Sequence, residues 1–136
     1  MKYQADTARL WFMKADNDLK IGRDELRSDN PATDAICFHM QQCVEKYLKG
    51  YLVLYGKEIE RTHNIIRIVR ECMDIDASFS KIDIPGVDRL TLYATELRYP
   101  DDFYMPPLDE TYEAIRQAET VREFVLEKLR CAGFDF

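Results

Sequence analysis

Between Ile36 and Tyr55 the chain reads Ile-Cys-Phe-His-Met-Gln-Gln-Cys-Val-Glu-Lys-Tyr-Leu-Lys-Gly-Tyr-Leu-Val-Leu-Tyr, and this stretch constrains the fold more than any other. A helical residue advances 100° around its axis. With His39 as origin, Gln42, Glu45, Lys46 and Lys49 fall within about 120° on one side. Ile36, Met40, Val44, Tyr47, Leu48, Tyr51, Leu52 and Leu54 take the rest of the circumference. A helix that is apolar over more than half its girth needs neighbours on several sides. Its one remaining strip mixes imidazole, amide, carboxylate and ammonium groups, which suits polar recognition better than plain solvation does.

The flanking segments supply those neighbours. Ala8, Trp11, Ala15, Leu19, Gly22 and Leu26 recur at three- and four-residue steps and predict a helix from about Thr7 to Arg27. Asn30-Pro31 predicts the start of the second helix and Gly56 its end. Thr62 is a candidate cap for a third helix buried through Ile65, Ile66, Ile68, Val69 and Met73. Pro85-Gly86 signals a turn, followed by a fourth helix from about Val87 to Arg98 with Leu90, Tyr93, Ala94 and Leu97 inward. Pro100 ends it, because the residue before a proline is pushed out of α geometry. The stretch from Tyr99 to Pro107 reads as a stiff loop whose aromatics are expected inside. Asp109 is a candidate cap for a fifth helix to about Arg130, with Tyr112, Ile115, Ala118, Val121, Val125 and Leu129 on its core side. No strand, repeat or linker interrupts this series. The expectation is a single domain over 1–136, an all-α antiparallel up-and-down bundle of about five helices.

Composition narrows the function. The net charge of −6 disfavours indiscriminate binding to nucleic acid or acidic membranes. No apolar run approaches the roughly 18 residues of a membrane span, and the first residues lack a signal peptide's apolar stretch. The four cysteines form no C-x-x-C and no zinc-like spacing, so free thiols in a reducing cytoplasm are expected. Asp101-Asp102 alone makes no metal site and reads as solvated loop.

Several pieces in order resemble one family. They are Trp11-x-x-x-Ala15-x-x-Asp18-Leu19, the string Phe38-His39-x-Gln41-Gln42-x-x-Glu45-Lys46-x-x-Lys49, the pair Thr62-His63, and Leu97-Arg98-Tyr99-Pro100. Together they resemble the HEPN domain (higher eukaryotes and prokaryotes nucleotide-binding) from about Thr7 to Leu129. The resemblance implies an all-α bundle, usually homodimeric. It also implies a partner, a minimal nucleotidyltransferase-domain protein, in pairs some of which are toxin–antitoxin systems. The HEPN member is then either a nucleotide-binding companion or an RNase.

The RNase branch uses an arginine and a histidine with four to six residues between them. The histidine serves as acid or base and the arginine steadies phosphorane charge, without metal. The positions five to seven before His39 are Ala32, Thr33 and Asp34; those before His63 are Gly56, Lys57 and Glu58. After Arg98 the corresponding positions hold Phe103, Tyr104 and Met105. The motif is absent, and Lys57 before His63 offers a point charge rather than a bidentate fork.

The candidate ligand residues are therefore His39, Gln42, Glu45, Lys46, Lys49, Thr62, His63 and Arg98, with no catalytic and no metal-binding residue. Lys46, Lys49 and Arg98 would hold phosphate, and His39 and Gln42 would orient the ligand. Each has a plainer alternative. The lysines can pair with Glu45 at helical spacing, Thr62 can simply cap, and Arg98 can tie its loop to Asp18. No cofactor is expected beyond a nucleotide, with Mg²⁺ only in its company. Two other readings stay open: an interaction module whose partner carries the chemistry, and an RNase with a departed motif. Dimerisation is expected through the surplus apolar girth of the second helix.

Overall fold

The computed structural model describes residues 2–136, the side chains of Lys2 and Asp102 excepted. Five helices make the bundle: α1 (Lys2–Leu26), α2 (Thr33–Leu54), α3 (Ile65–Ile75), α4 (Ile84–Ala94) and α5 (Leu108–Cys131). Short 3₁₀ turns at Ala77–Lys81, Glu96–Arg98 and Pro100–Asp102 join the later ones. No strand occurs among the described residues.

Helix α2 is the axis. Fifteen of its 22 residues are buried, so its apolar girth is covered inside one chain rather than left over for a partner. It packs most extensively on α1 and also meets α3, α4 and α5. Two glycines permit the α1–α2 approach. A Cβ on Gly50 would lie 2.5 Å from the Phe12 ring, and one on Gly22 would collide with the end of Met40. The α1 residue in the core is Phe12, 4% exposed and stacked on Tyr47 at 5.2 Å, whereas Trp11 one position earlier is half-buried. Beyond α5, Gly133 takes φ +93° and turns the chain so that Phe136 packs edge-on against Phe12 at 5.0 Å.

Helix starts differ from the sequence expectation in instructive ways. α2 begins at Thr33 after Ala32, and no side chain caps it. The cap of α3 is Asn64, whose side chain accepts from the Arg67 N–H; Thr62 Oγ1 instead accepts from the N–H of Asn64. Pro85-Gly86 lies inside the first turn of α4, where proline fits because its missing N–H would have no helical partner. Asp83 caps that turn by accepting from Gly86 N–H. α5 starts after Pro107 with no side-chain cap, and Tyr112 points outward at 57% exposure. The expected burial of the 99–107 aromatics is also corrected: Tyr99, Phe103, Tyr104 and Met105 are exposed. The segment is anchored through buried Pro106 and through Tyr104, whose hydroxyl donates to Glu110 at 2.8 Å.

Candidate functional site

The polar strip of α2 folds into two carboxylate-centred clusters. The first is built on Asp18 of α1, which is 6% exposed. His39 Nδ1 lies 2.8 Å from Asp18 Oδ1, and Lys46 Nζ donates to Asp18 Oδ2 at 2.6 Å. His39 and Lys46 are seven residues apart on one face of α2, two helical turns, so a single carboxylate placed across from them can bridge both. Asp18 can only accept, so His39 carries its proton on Nδ1 and, when neutral, presents Nε2 as an acceptor.

The second cluster is built on Glu45, 5% exposed. Gln41 Nε2 donates to Glu45 Oε1 at 3.0 Å, and His63 Nδ1 lies 2.7 Å from the same oxygen. Lys49 Nζ donates to Oε2 at 3.0 Å and to the Thr62 carbonyl at 3.1 Å. Gln41 also donates to the His63 carbonyl at 3.2 Å and accepts from Gln42 Nε2 at 2.7 Å. These bonds strap the segment before α3 onto α2. They also answer the cost of burying Glu45, Lys49 and Gln41, since a buried charge without a partner is strongly destabilising. No buried side-chain polar atom lacks a partner among the described residues.

The eight expected site residues therefore divide. His39, Gln42 and Lys46 are partly exposed along one edge of α2. Glu45 and Lys49 are interior, and the Lys49 charge is already held by Glu45. Thr62 and His63 border the second cluster; half of the His63 side chain remains open to solvent. Arg98 joins from the other side. Its guanidinium lies 4.0 Å over the Phe38 ring, and the His39 ring meets the same phenyl edge-on at 5.7 Å. Arg98 does not engage Asp18, both of whose oxygens serve His39 and Lys46.

Arg98 and Phe38 border a cavity of about 250 Å³ that Asp34, Tyr93, Leu97, Tyr104 and Pro106 also line. Tyr93 donates to Glu110 at 2.8 Å, and its hydroxyl proton is held well above the ordinary phenol range by burial and by that carboxylate. Behind it, burial pushes the Cys37 thiol up to about 11, so this cysteine is a packing group rather than a nucleophile. Among the described residues no cluster of three or more His, Cys, Asp or Glu is placed to hold a metal ion, and no helix is long and apolar enough to cross a membrane.

Asp18 belongs to this site although spacing along the sequence does not place it there. The signal available was its position: a carboxylate beside Leu19, a core residue, on a helix that must face α2. Asp16, two residues earlier on α1, has a parallel part. It accepts from the Tyr47 hydroxyl and from Arg122 Nε, the latter at 2.9 Å, which joins α1, α2 and α5.

An all-α bundle centred on one apolar helix, with a paired histidine–carboxylate–lysine strip, is the class these observations define. The family model for the HEPN domain matches residues 8–129, and the chain belongs to that family. The chain is also 30% identical over 137 aligned positions to a protein of Methanocaldococcus jannaschii named "Putative toxin MJ1304", covering 90% of this chain and 88% of that one. No solved structure matches the chain.

Proposed function

We propose that this HEPN-family chain is a non-catalytic companion that binds a nucleotide or nucleotide-like phosphate ligand. It works, as a cytoplasmic homodimer, with a minimal nucleotidyltransferase-domain protein in a toxin–antitoxin-like pair. The observation that carries the ligand reading is the Arg98 guanidinium stacked at 4.0 Å on Phe38 beside the 250 Å³ cavity, with His39 against the same ring. A cation fixed on an aromatic shelf offers both charge and a planar apolar face. Arg98 and the partly exposed Lys46 contact phosphate, and His39 and Gln42 orient the ligand. Glu45, Lys49, Thr62 and His63 form the supporting wall, with His63 at its open edge. Mg²⁺ enters only with the nucleotide. The name of the archaeal relative supports the toxin–antitoxin context.

The test is calorimetric titration with ATP, GTP and their monophosphates, with and without Mg²⁺, repeated on Arg98→Ala and Lys46→Ala. Lys49 is left intact because its removal would strand buried Glu45. Micromolar binding, about 8 kcal/mol, that both variants weaken supports the reading. No heat at millimolar nucleotide removes it.

One observation favours an interaction module instead. Tyr99, Phe103, Met105, Leu108 and Tyr112 are all roughly half exposed or more, an apolar concentration of the sort that marks protein contacts. Co-purification with the nucleotidyltransferase-type partner, lost on Phe103→Ser/Tyr112→Ser and indifferent to nucleotide, would select it. An RNase reading requires RNA cleavage that disappears on His39→Ala or His63→Ala.

A further inference from the structure

The groups of α2 that still reach solvent are Asp34, Ala35, Phe38, His39, Gln42, Lys46 and Val53. Asp34, Phe38, Gln42 and Lys46 are four residues apart, so they form one ridge, each about 6 Å along the axis from the last. The ridge reads carboxylate, phenyl, amide, ammonium. Phe38, Gln42 and Lys46 have parts in the nucleotide site above; Asp34, at the head of the ridge, has none. Yet Asp34 lines the same cavity of about 250 Å³. It is exposed, and it spends one acceptor position on the Ala35 N–H at 2.8 Å, which leaves others open.

Apart from Arg98, the side chains lining this cavity have one hydrogen-bonding polarity. Tyr93 donates to Glu110 Oε2 and Tyr104 to Glu110 Oε1, both at 2.8 Å. A phenol has one proton, so with that proton spent its oxygen can only accept. Asp34 likewise only accepts, Pro106 has no N–H, and Leu97 and Phe38 are apolar. A ligand entering here must bring donors, and two neighbouring donors to satisfy both oxygens of one carboxylate. The cavity is also smaller than the roughly 300–1,000 Å³ of sites that enclose a whole ligand. That suits a nucleobase whose sugar and phosphates lie outside, along the ridge.

We propose that this cavity is a guanine site, in which the Asp34 carboxylate accepts from the N1–H and the N2 amine of the base. The inference rests on the nucleotide reading above and names the base and its direction along α2. Guanine is the common nucleobase with two neighbouring donors on one edge. Adenine sets its N6 amine beside N1, an acceptor, and cytosine its N4 amine beside N3, an acceptor. Uracil sets its N3–H between two carbonyls. Each of these would turn an acceptor to a carboxylate oxygen and leave it unpaired on losing water. The direction follows from the ridge. With the base edge at Asp34, the Phe38–Arg98 shelf comes one turn on, then Gln42, then Lys46 about 18 Å along the axis. The phosphates thus lie away from the Asp34 and Glu110 carboxylates and toward the ammonium. A triphosphate chain reaches that far more readily than a single phosphate.

The experiment is calorimetric titration of the full chain with GTP, ITP, ATP, CTP, UTP and XTP, repeated on Asp34→Asn. The expected result for the wild type is GTP about tenfold or more tighter than ATP, CTP or UTP, within what one bidentate base contact discriminates. ITP, which keeps N1–H but lacks the N2 amine, should bind several-fold more weakly than GTP. Asparagine keeps one acceptor and puts a donor in place of the other; xanthine keeps N1–H and carries a carbonyl in place of the N2 amine. Asp34→Asn should therefore lose the preference for GTP and bind XTP about tenfold tighter than GTP, with its helical circular dichroism intact. A merely structural role for Asp34 would weaken every nucleotide alike. No heat from any of these at millimolar concentration overturns the nucleotide reading and the inference together. ATP binding as tightly as GTP overturns guanine selection and leaves the nucleotide reading standing. A preference for GTP that ITP shares in full, or that Asp34→Asn retains, overturns Asp34 as the group that reads the base.

Discussion

Glu45 shows how far a single position can be read. Helix geometry puts it on the polar strip with His39 and Lys46, but its surroundings are set by a segment 18 residues downstream. In the fold it is an anchor for Lys49, His63 and Gln41 rather than a group facing solvent. A sequence shows that a lysine is present; it does not show whether its charge is already held, because that depends on which carboxylate the fold brings across. The same limit hid Asp18, which arrives from α1 to occupy both His39 and Lys46. Glu45→Ala leaves the Lys49 ammonium, 7% exposed, without its counter-charge. The expected loss is about 3–5 kcal/mol of unfolding free energy in urea titration. Glu45→Leu/Lys49→Met, which removes both charges and keeps the volume, should recover most of that loss. A single-variant loss below about 1 kcal/mol would place the pair among weak surface bridges.

At the scale of elements, the sequence was most legible where periodicity decides and least where a partner decides. All five helices are present at about their expected places, because three- and four-residue apolar spacing is a local property. Caps and strap residues depend on such partners. Asn64 rather than Thr62 caps α3, and the 99–107 aromatics lie outside because buried Pro106 and the Tyr104–Glu110 bond already hold that segment. Gly50 sets one test of the α1–α2 seam. Alanine is the better helix former by about 1 kcal/mol, yet its Cβ would lie 2.5 Å from the Phe12 ring. Overpacking of that kind costs about 1–3 kcal/mol, so Gly50→Ala should lower the melting temperature despite its propensity gain; a rise would mean the seam yields easily. Asp76 sets another. It accepts from the Ser78 hydroxyl and N–H and pairs with Lys128 at 3.0 Å, which ties the 3₁₀ turn after α3 to α5. Those hydrogen bonds, with Lys128, hold its carboxyl down at about 2. A depressed folded pKa contributes stability above the unfolded value, near 4, and loses it as pH falls toward the folded value. The melting difference between wild type and Asp76→Ala should thus be full above about pH 5 and shrink toward pH 2. A gap independent of pH would show that the carboxylate charge is not what holds the turn.

The whole molecule explains why an all-α bundle could be read from sequence while an interface on α2 could not. Surplus apolar girth says that a helix needs neighbours; it does not say whether they come from the same chain, and here they do. The surplus that remains lies on the outer face of α1 and in the 99–112 strap. Charge is distributed with similar economy. The chain carries −6, and several of its cations are already engaged: Lys46 by Asp18, Lys49 by Glu45, Arg122 by Asp16, Arg23 by Glu119 and Arg116 by Glu113. Binding to a generic RNA depends on releasing counterions with free lysines and arginines, and each phosphate neutralised steepens the fall of affinity with salt. With a net negative field and so many pairs already made, this protein should bind an unstructured labelled RNA no better than about 100 µM at physiological salt, the weak end of non-specific affinity. Fluorescence anisotropy across a salt series decides the matter. Binding near 1 µM with a steep salt slope would mean that these ion pairs open to admit phosphate, and would shift the reading from nucleotide companion to RNA-directed HEPN protein. Binding equally tight but insensitive to salt would point instead to bases stacked on Phe38, Tyr99 and Phe103, since stacking releases no counterions.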